Sequence, residues 1–229
     1  MSGPSPVITI DGPAGVGKST VGTAVARELE LPFLDTGIFY RALTVAAARL
    51  GLRPEDAGAL AHLAATFKVE VNTDARAKGW RARVEGADLD SELWDPELAP
   101  LLTRVASLGP VREALLELQR RAGLEGVVAV GRDTGTVVFP DADRKFYLDA
   151  PPEVRLERRR QELGSRGLPT PDALMAEEVI DRDRGDLSRA HAPLAVPEAA
   201  VVIDTANLSA AEVSQMVLAA CAGLGQRPE

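Results

Sequence analysis

Residues 7–20 read VITIDGPAGVGKST, an apolar run followed by a glycine-rich turn. From Gly12 to Ser19 the turn matches the pattern G-x-x-x-x-G-K-[ST], and apolar residues recur at helical spacing after it. The glycines leave room for backbone N–H groups to face phosphate oxygens, and the start of the following helix favours negative charge. The stretch therefore predicts a nucleoside triphosphate site between a buried strand and a helix. A glycine-rich turn without a ligand is the alternative.

The pattern assigns roles to single positions of the loop. Lys18 is expected to reach the β- and γ-phosphates, and the Ser19 hydroxyl to ligate Mg²⁺. Two carboxylates at strand ends, Asp11 and Asp35, are candidates for the outer shell of the metal, and Asp35 is the predicted metal residue. The predicted triphosphate-binding residues are Gly12, Pro13, Ala14, Gly15, Val16, Gly17, Lys18, Ser19 and Thr20.

Short apolar runs alternate with helical patterns along the rest of the chain. Such runs are typical of strands in a parallel sheet that is covered on both faces. The sequence therefore predicts an α/β fold, with three layers and a five-stranded parallel sheet. The predicted strands are 7–10, 32–34, 127–130, 145–148 and 201–203, and the predicted helices are 18–29, 38–50, 55–66, 110–122, 152–163, 172–185 and 209–222.

Two segments interrupt this alternation. Residues 68–71 and 80–84 alternate with period two around a turn-rich stretch, which predicts a hairpin in an inserted lobe over residues 40–105. Trp80 and Trp94 are expected to pack inside this lobe. Glycines and prolines after residue 163 precede a charged helical pattern, which predicts a mobile lid within residues 155–190.

Composition excludes several classes of protein. The chain has 229 residues, of which 45% are hydrophobic and 26% charged, as expected for one soluble domain over 1–229. A net charge of -8 argues against a nonspecific nucleic-acid coat or a membrane-surface binder. Cys221 is the only cysteine, which excludes an internal disulfide. Residues 1–6 lack signal-peptide features and no apolar run approaches the roughly 20 residues of a membrane helix, so we expect a cytoplasmic protein.

The remaining motifs narrow the class of nucleotide-binding protein. A GTPase would carry Asn-Lys-x-Asp, and the chain contains no Asn-Lys pair. Motor and AAA-type ATPases normally follow the loop with a second apolar strand that ends in an acidic residue, whereas Val127–Val130 is followed by Gly131. Small-molecule kinases suit this pattern, because a phosphate acceptor brings its own charge and requires arginines rather than a group that positions water.

Four segments resemble the bacterial cytidylate kinases: residues 7–20, LDTGIFYR at 34–41, GRDTGTVVFPDA at 131–142 and RDRGDLSR at 182–189. They follow the family order along nearly the whole chain, and 131–142 is the most specific of them. The resemblance implies a nucleoside-monophosphate-kinase fold with a core, a monophosphate-binding insertion and a lid. It implies transfer of the ATP γ-phosphate to CMP or dCMP with Mg²⁺, in pyrimidine metabolism. The chain departs from the family at Val130, where many relatives carry an aspartate.

The resemblance also implies roles for arginines and carboxylates. It assigns the acceptor phosphate to Arg41 and Arg132, because guanidinium groups bind phosphate in bidentate fashion. It assigns the cytosine to Asp133, which can accept from the 4-amino group, and to Arg112, which can donate to N3 and O2. For a lone arginine the alternative is a solvated surface charge, and for Arg112 it is a pair within its own helix.

The same resemblance implies further substrate contacts. Thr36 and Thr103 stand where the family usually has serine, and each keeps a hydroxyl. Arg182, Asp186 and Arg189 would share one helix face toward the sugar and base, with a salt-bridged helix face as the alternative.

The lid is expected to supply catalytic arginines. By analogy with the family, Arg158 or Arg159, together with Arg184, would reach the transferring phosphoryl group on closure. The predicted catalytic residues are therefore Lys18, Arg132, Arg158 and Arg184.

Two other functions remain open from the sequence. One is a kinase for another small acceptor, such as UMP, AMP, shikimate or dephospho-coenzyme A. The other is a nucleotide-switched regulatory or RNA-binding protein, which would need a guanine motif, a basic face or a Gly-rich RNA loop. The expected partners are CMP, dCMP and ATP, with no stable nucleic-acid partner, no membrane and a monomeric state.

Overall fold

The computed structural model describes residues 5–77, 82–89, 92–165, 185 and 194–224. The chain divides into two compact units, one built from Met1–Phe33 and Glu125–Glu229 and the other from Leu34–Leu124. The predicted insertion over 40–105 falls within the second unit, and its role as a monophosphate-binding lobe stays a prediction.

The described residues form strands, α-helices and short 3₁₀ and π-helical turns. The strands are β1 (Val7–Asp11), β2 (Phe33–Asp35), β3 (Val69–Val71), β4 (Ala82–Val84), β5 (Ala87–Asp88), β6 (Val127–Gly131), β7 (Arg144–Asp149) and β8 (Val201–Asp204). The α-helices are α1 (Lys18–Glu28), α2 (Gly37–Arg49), α3 (Ala57–Thr66), α4 (Ala99–Ser107), α5 (Gly109–Ala122), α6 (Pro152–Ser165) and α7 (Ala210–Ala220). A 3₁₀ turn, Pro96–Leu98, precedes α4, and a π-helical turn, Thr134–Val138, follows β6.

Five strands form one sheet in the order β2-β6-β1-β7-β8. β1 pairs in parallel with both β6 and β7, and β7 pairs in parallel with β8. Every residue of β6 is buried, as are the last four residues of β1. Central strands of a sheet that is covered on both faces have this burial. The predicted α/β fold with a five-stranded sheet is therefore confirmed.

The second unit contains a small antiparallel sheet, β3-β4-β5. β3 pairs antiparallel with β4, as the period-two alternation predicted, but the pairing begins at Ala82, and Trp80 lies outside the described residues. Sequence analysis missed β5, whose two residues are too few to show a period. It also missed α4, which has Pro100 in its first turn. Proline is tolerated there because the amide it lacks has no partner within the helix.

The chain returns to the first unit and closes with α7. Ser209 and Glu212 form a reciprocal capping box at its start. Cys221 follows the helix and is buried, as expected for a small core residue, and burial raises the pKa of its thiol to about 11. The predicted helix 172–185 lies outside the described residues. Among the helices that are described, none has the length and apolar character needed to cross a membrane.

Gly22 allows α1 to approach the sheet closely. A Cβ atom at this position would lie 2.6 Å from Cγ1 of Val130 and 2.8 Å from Cε2 of Phe33. Val130 is thus a buried packing residue beneath α1. The distance between helix and sheet here depends on the absence of a side chain at Gly22.

We predict that Gly22→Ala lowers the free energy of unfolding by about 1–3 kcal/mol, because the side chains beneath it must move. This loss outweighs the roughly 0.5–1 kcal/mol that alanine gains over glycine inside a helix. Gly58→Ala in α3 is the control, since a Cβ there meets no atom within 4 Å and stability should be kept or raised. Urea unfolding followed by circular dichroism measures both variants. A Gly22→Ala protein as stable as the wild type would contradict the prediction.

Candidate functional site

The glycine-rich loop lies where the pattern predicted it, between the end of β1 at Asp11 and the start of α1 at Lys18. Gly15 and Gly17 have φ angles of 74° and 99°, in the left-handed region that favours glycine. A Cβ on Gly12 would collide with the carbonyl oxygen of Leu148. The loop backbone is therefore packed against the end of β7, in a conformation that side chains at these positions would prevent.

Lys18 is folded over this loop. Its side chain is buried, and Nζ donates a hydrogen bond of 2.6 Å to the carbonyl oxygen of Pro13. A phosphate oxygen is a stronger acceptor for an ammonium group than a neutral carbonyl. The lysine is thus held beside the loop, where an anionic ligand can replace the carbonyl as its partner.

Arg155 of α6 also binds the backbone of the loop. It is 6% exposed, Nε donates to the carbonyl oxygen of Ala150 and Nη1 donates to that of Ala14, both at 3.0 Å. A Cβ on Gly15 would lie 3.0 Å from the carbonyl oxygen of Arg155, so α6 and the loop are in close contact. Sequence analysis assigned no role to Arg155. Glutamates alternate with arginines along this helix, so the sequence pattern gives no sign that Arg155 is buried.

Arg158, one turn further along α6, contacts the segment after β8. Nη1 donates to the hydroxyl of Thr205 at 2.9 Å, and Nη2 donates to the carbonyl oxygens of Thr205 and Leu208. Nη1 also lies 3.5 Å from the carbonyl oxygen of Val16 in the loop. To reach a transferring phosphoryl group, the predicted catalytic Arg158 must give up these bonds.

A second set of predicted site residues follows β6. Arg132 is half-buried and Asp133 is 7% exposed, and both precede the turn Thr134–Val138. Asp11 Oδ1 accepts a hydrogen bond of 2.8 Å from the Thr134 amide, and Oδ2 accepts one of 2.7 Å from the Gly135 amide. The Asp11 carboxylate at the end of β1 thus binds the turn that follows the adjacent strand β6.

The electrostatics of Asp11 follow from its burial. Removal from water raises the pKa of the Asp11 carboxyl, the two amide hydrogen bonds oppose this, and the nearby Asp133 carboxylate adds to the rise. Because both oxygens accept bonds inside the protein, Asp11 is a poor candidate for the metal shell. Of the two carboxylates considered from the sequence, Asp35 is the half-buried one, and its Oδ1 accepts a 2.9 Å bond from the Gly37 amide.

The two residues predicted to hold Mg²⁺ fit that ion chemically, because a serine hydroxyl and an aspartate carboxylate are hard oxygen ligands, which Mg²⁺ prefers. Within the described part of the chain, no group of three or more His, Cys, Asp or Glu side chains could hold a metal ion on its own. Such a sparse protein donor set is typical of Mg²⁺ that is held largely by substrate phosphates.

Two arginines of the second unit lie on aromatic rings. The Arg41 guanidinium is 4.1 Å from the centroid of Trp94, and Nη1 donates to the Leu93 carbonyl oxygen at 3.1 Å. The Arg112 guanidinium is 5.4 Å from the centroid of Tyr40 and the residue is buried. Ring contacts of this kind orient the guanidinium plane. Sequence analysis proposed both arginines but missed their aromatic partners, since Trp94 was read only as packing.

The two threonines differ in exposure. Thr36 is buried, and its carbonyl oxygen accepts from Gln119 Nε2 at 3.2 Å. Thr103 is exposed, and its hydroxyl donates to the Ala99 carbonyl oxygen at 3.0 Å within α4. The other predicted lid and sugar residues lie outside the described part of the chain: Arg182, Arg184, Asp186 and Arg189.

The chain is similar to known proteins along nearly its whole length. The model of the family described as cytidylate kinase matches residues 8–222. A cytidylate kinase of Pelotomaculum thermopropionicum is 42% identical over 215 residues, which cover 93% of this chain and 95% of that protein. One from Methylococcus capsulatus is 45% identical over 214 residues, with the same coverage. Among solved structures, an uncharacterised protein from Eubacterium ventriosum has a TM-score of 0.50 at 10% identity, covering 94% of this chain and 97% of that one, which shows likeness of fold alone.

We predict that Arg155→Met weakens ADP binding about tenfold, because the loop carbonyl of Ala14 loses a charge-assisted hydrogen bond and the loop relaxes. Arg160→Met on the same helix is the matched control, since Arg160 is exposed and its ion pair with Glu157 lies at the surface. Titration calorimetry with ADP measures both variants, and circular dichroism checks their folding. A folded Arg155→Met protein with wild-type ADP affinity would rule out this role.

Proposed function

The chain belongs to the cytidylate kinase family, and we propose that it transfers the γ-phosphoryl group of ATP to CMP and dCMP, giving CDP and dCDP. The observation that carries the proposal is the strand, glycine loop and helix of residues 7–28, with Lys18 folded onto the loop. The family match over residues 8–222 supports CMP as the phosphate acceptor.

On the donor side, the triphosphate is proposed to bind the loop from Gly12 to Thr20. Lys18 would exchange its bond to the Pro13 carbonyl for the β- and γ-phosphate oxygens. Arg155 would keep the loop backbone in place during this exchange, because its bonds to Ala14 and Ala150 involve no phosphate. Ser19 and Asp35 would hold Mg²⁺, which neutralises charge on the phosphate oxygens when bound.

On the acceptor side, Arg41 and Arg132 are proposed to bind the phosphate of CMP. A guanidinium fork matches two phosphate oxygens at once, and Arg41 has its plane set by the Trp94 ring. Bringing two anionic nucleotides together is the main electrostatic obstacle in this reaction. The two arginines reduce this repulsion, because they bind the phosphate dianion of CMP before transfer.

Cytosine is proposed to be read by one carboxylate and one guanidinium. Asp133 accepts from the 4-amino group, and Arg112 donates to N3 and O2. The burial of both side chains supports this role, since a hydrogen bond discriminates best where water cannot replace it. Thr36 and Thr103 would add hydroxyl contacts. Arg182, Asp186 and Arg189 are proposed for the sugar and base, and Arg158 and Arg184 for the transferring phosphoryl group.

The chemistry is an in-line displacement. An oxygen of the CMP phosphate attacks the γ-phosphorus, the bond to the β,γ-bridging oxygen breaks, and ADP leaves. The acceptor oxygen is already anionic, so no strong general base is required. Catalysis then consists of positioning the two nucleotides, neutralising their charge and excluding water. Lys18, Arg132 and Arg158 are the described residues that are proposed as catalytic.

We further propose that the protein works as a monomer in the cytoplasm, without a stable nucleic-acid or membrane partner. The net charge of -8 supports the absence of a stable nucleic-acid partner, because a negatively charged protein is repelled by a polyanion.

An acceptor panel of CMP, dCMP, UMP and AMP, with ADP formation coupled to a detection enzyme, tests the proposal. CMP and dCMP should react fastest, and Asp133→Ala should lower the preference for CMP over UMP by about tenfold or more, since one base contact is lost. Asp141→Ala, an exposed carboxylate shortly after the same turn, is the control and should keep the preference. Faster turnover of AMP than of CMP in the wild type would refute the cytosine assignment.

A further inference from the structure

Gln119 is a polar side chain on the buried face of α5. It is 2% exposed, and the same face carries Leu115 one turn earlier and Arg112 two turns earlier, both of them buried. An amide that is removed from water costs free energy unless it is hydrogen-bonded, and a leucine at this position would avoid that cost. Burial alone therefore gives no reason for a glutamine here, and its hydrogen bond has to supply one.

The amide of Gln119 binds the start of α2. Nε2 donates a hydrogen bond of 3.2 Å to the carbonyl oxygen of Thr36, the residue directly before the first residue of this helix. Thr36 is buried as well, so water cannot readily replace the amide as a donor. Within the same turn, Asp35 Oδ1 accepts from the Gly37 amide at 2.9 Å. The turn that begins α2 is thus closed by its own aspartate and attached to α5 by Gln119.

A second contact joins the same two helices. The Arg112 guanidinium of α5 lies 5.4 Å from the centroid of the Tyr40 ring of α2. Arg112 and Gln119 are seven residues apart, which is nearly two helical turns, so both extend from one face of α5. Thr36 and Tyr40 are four residues apart, about one turn, at the start of α2. Two contacts at separate points restrict rotation of one helix on the other, whereas a single contact would act as a pivot.

We propose that Gln119 is a positioning residue for the acceptor nucleotide: its bond to the Thr36 carbonyl fixes the start of α2, which carries Arg41, relative to Arg112 on α5. The inference rests on the proposed function, in which Arg112 reads cytosine and Arg41 binds the phosphate of the same CMP molecule. Base and phosphate of one nucleotide lie within a limited range of separations, so the two arginines must be correctly spaced to bind both ends. Gln119 touches no substrate in this account and acts only through the turn.

Gln119→Met tests the inference, because methionine is similar in length and volume but cannot donate a hydrogen bond. We expect KM for CMP to rise about threefold to tenfold, the range expected for the loss of one buried hydrogen bond. KM for ATP should stay within about twofold of the wild type, because the phosphate loop is not part of this contact. Steady-state kinetics with each nucleotide varied in turn measure the two constants, calorimetry with CMP and with ADP checks the affinities, and circular dichroism checks folding.

Leu115→Val is the matched control. It removes a methylene group from the same buried face of α5, one turn before Gln119, and removes no hydrogen bond. It should lower the free energy of unfolding but leave KM for CMP within about twofold of the wild type. An equal rise of KM for CMP in both variants would show that any loosening of α5 has this effect, and would overturn the role of Gln119.

An unchanged KM for CMP in a folded Gln119→Met protein would also overturn the inference, as would an equal rise of KM for ATP. Should Gln119→Met fail to fold, NMR of the wild-type protein tests the same contact. The side-chain amide signals of Gln119 should shift on saturation with CMP and stay in place with ADP, because the turn that they bind belongs to the acceptor site. An equal response to both nucleotides, or no response to CMP, would contradict the inference.

The acceptor panel separates this inference from the proposed function. If the wild-type protein does not phosphorylate CMP, the proposed function fails and the inference falls with it. If the wild type prefers CMP while Gln119→Met keeps the wild-type KM for CMP, the proposed function stands and only the role of Gln119 is wrong.

Discussion

The carboxylate of Asp11, buried at the end of β1, is the constraint on which the larger unit depends. A charge without solvent contact is tolerated only where hydrogen bonds replace its hydration, and here the Thr134 and Gly135 amides do so. Those bonds require the parallel register of β1 with β6 and a glycine at position 135. One side chain therefore fixes the turn with Arg132 and Asp133 relative to the start of the phosphate loop.

Charged side chains also hold the backbone of the phosphate loop. Arg155, more than 130 residues after the loop, binds the Ala14 carbonyl, while Lys18 binds that of Pro13. In the second unit, Arg41 and Arg112 are oriented by Trp94 and Tyr40. Charged groups are thus fixed before any substrate arrives, which reduces the reorganisation needed when phosphate charge develops.

Local patterns predicted most of the fold and only part of the site. The sheet strands and the loop at 12–17 follow from apolar runs and from a motif whose positions are close in sequence. Asp11 and the amides it binds, like Arg155 and Ala14, are more than a hundred residues apart in sequence, and no spacing rule reveals such contacts. Trp94 beneath Arg41 was missed because the ring and the guanidinium meet only after α2 has packed with its neighbours. For Arg158, sequence spacing identified the helix but not the segment at Thr205 that its guanidinium contacts.

Amide hydrogen exchange of Thr134 and Gly135 by NMR is the most direct test of the central claim. In the wild-type protein both amides should be strongly protected, and Asp11→Asn should lose protection at one or both while Val128 in β6, bonded to the Pro32 carbonyl, keeps it. Exchange of Thr134 and Gly135 at unfolded-chain rates in the wild type, or equal protection in both proteins, would contradict the claim that Asp11 holds this turn.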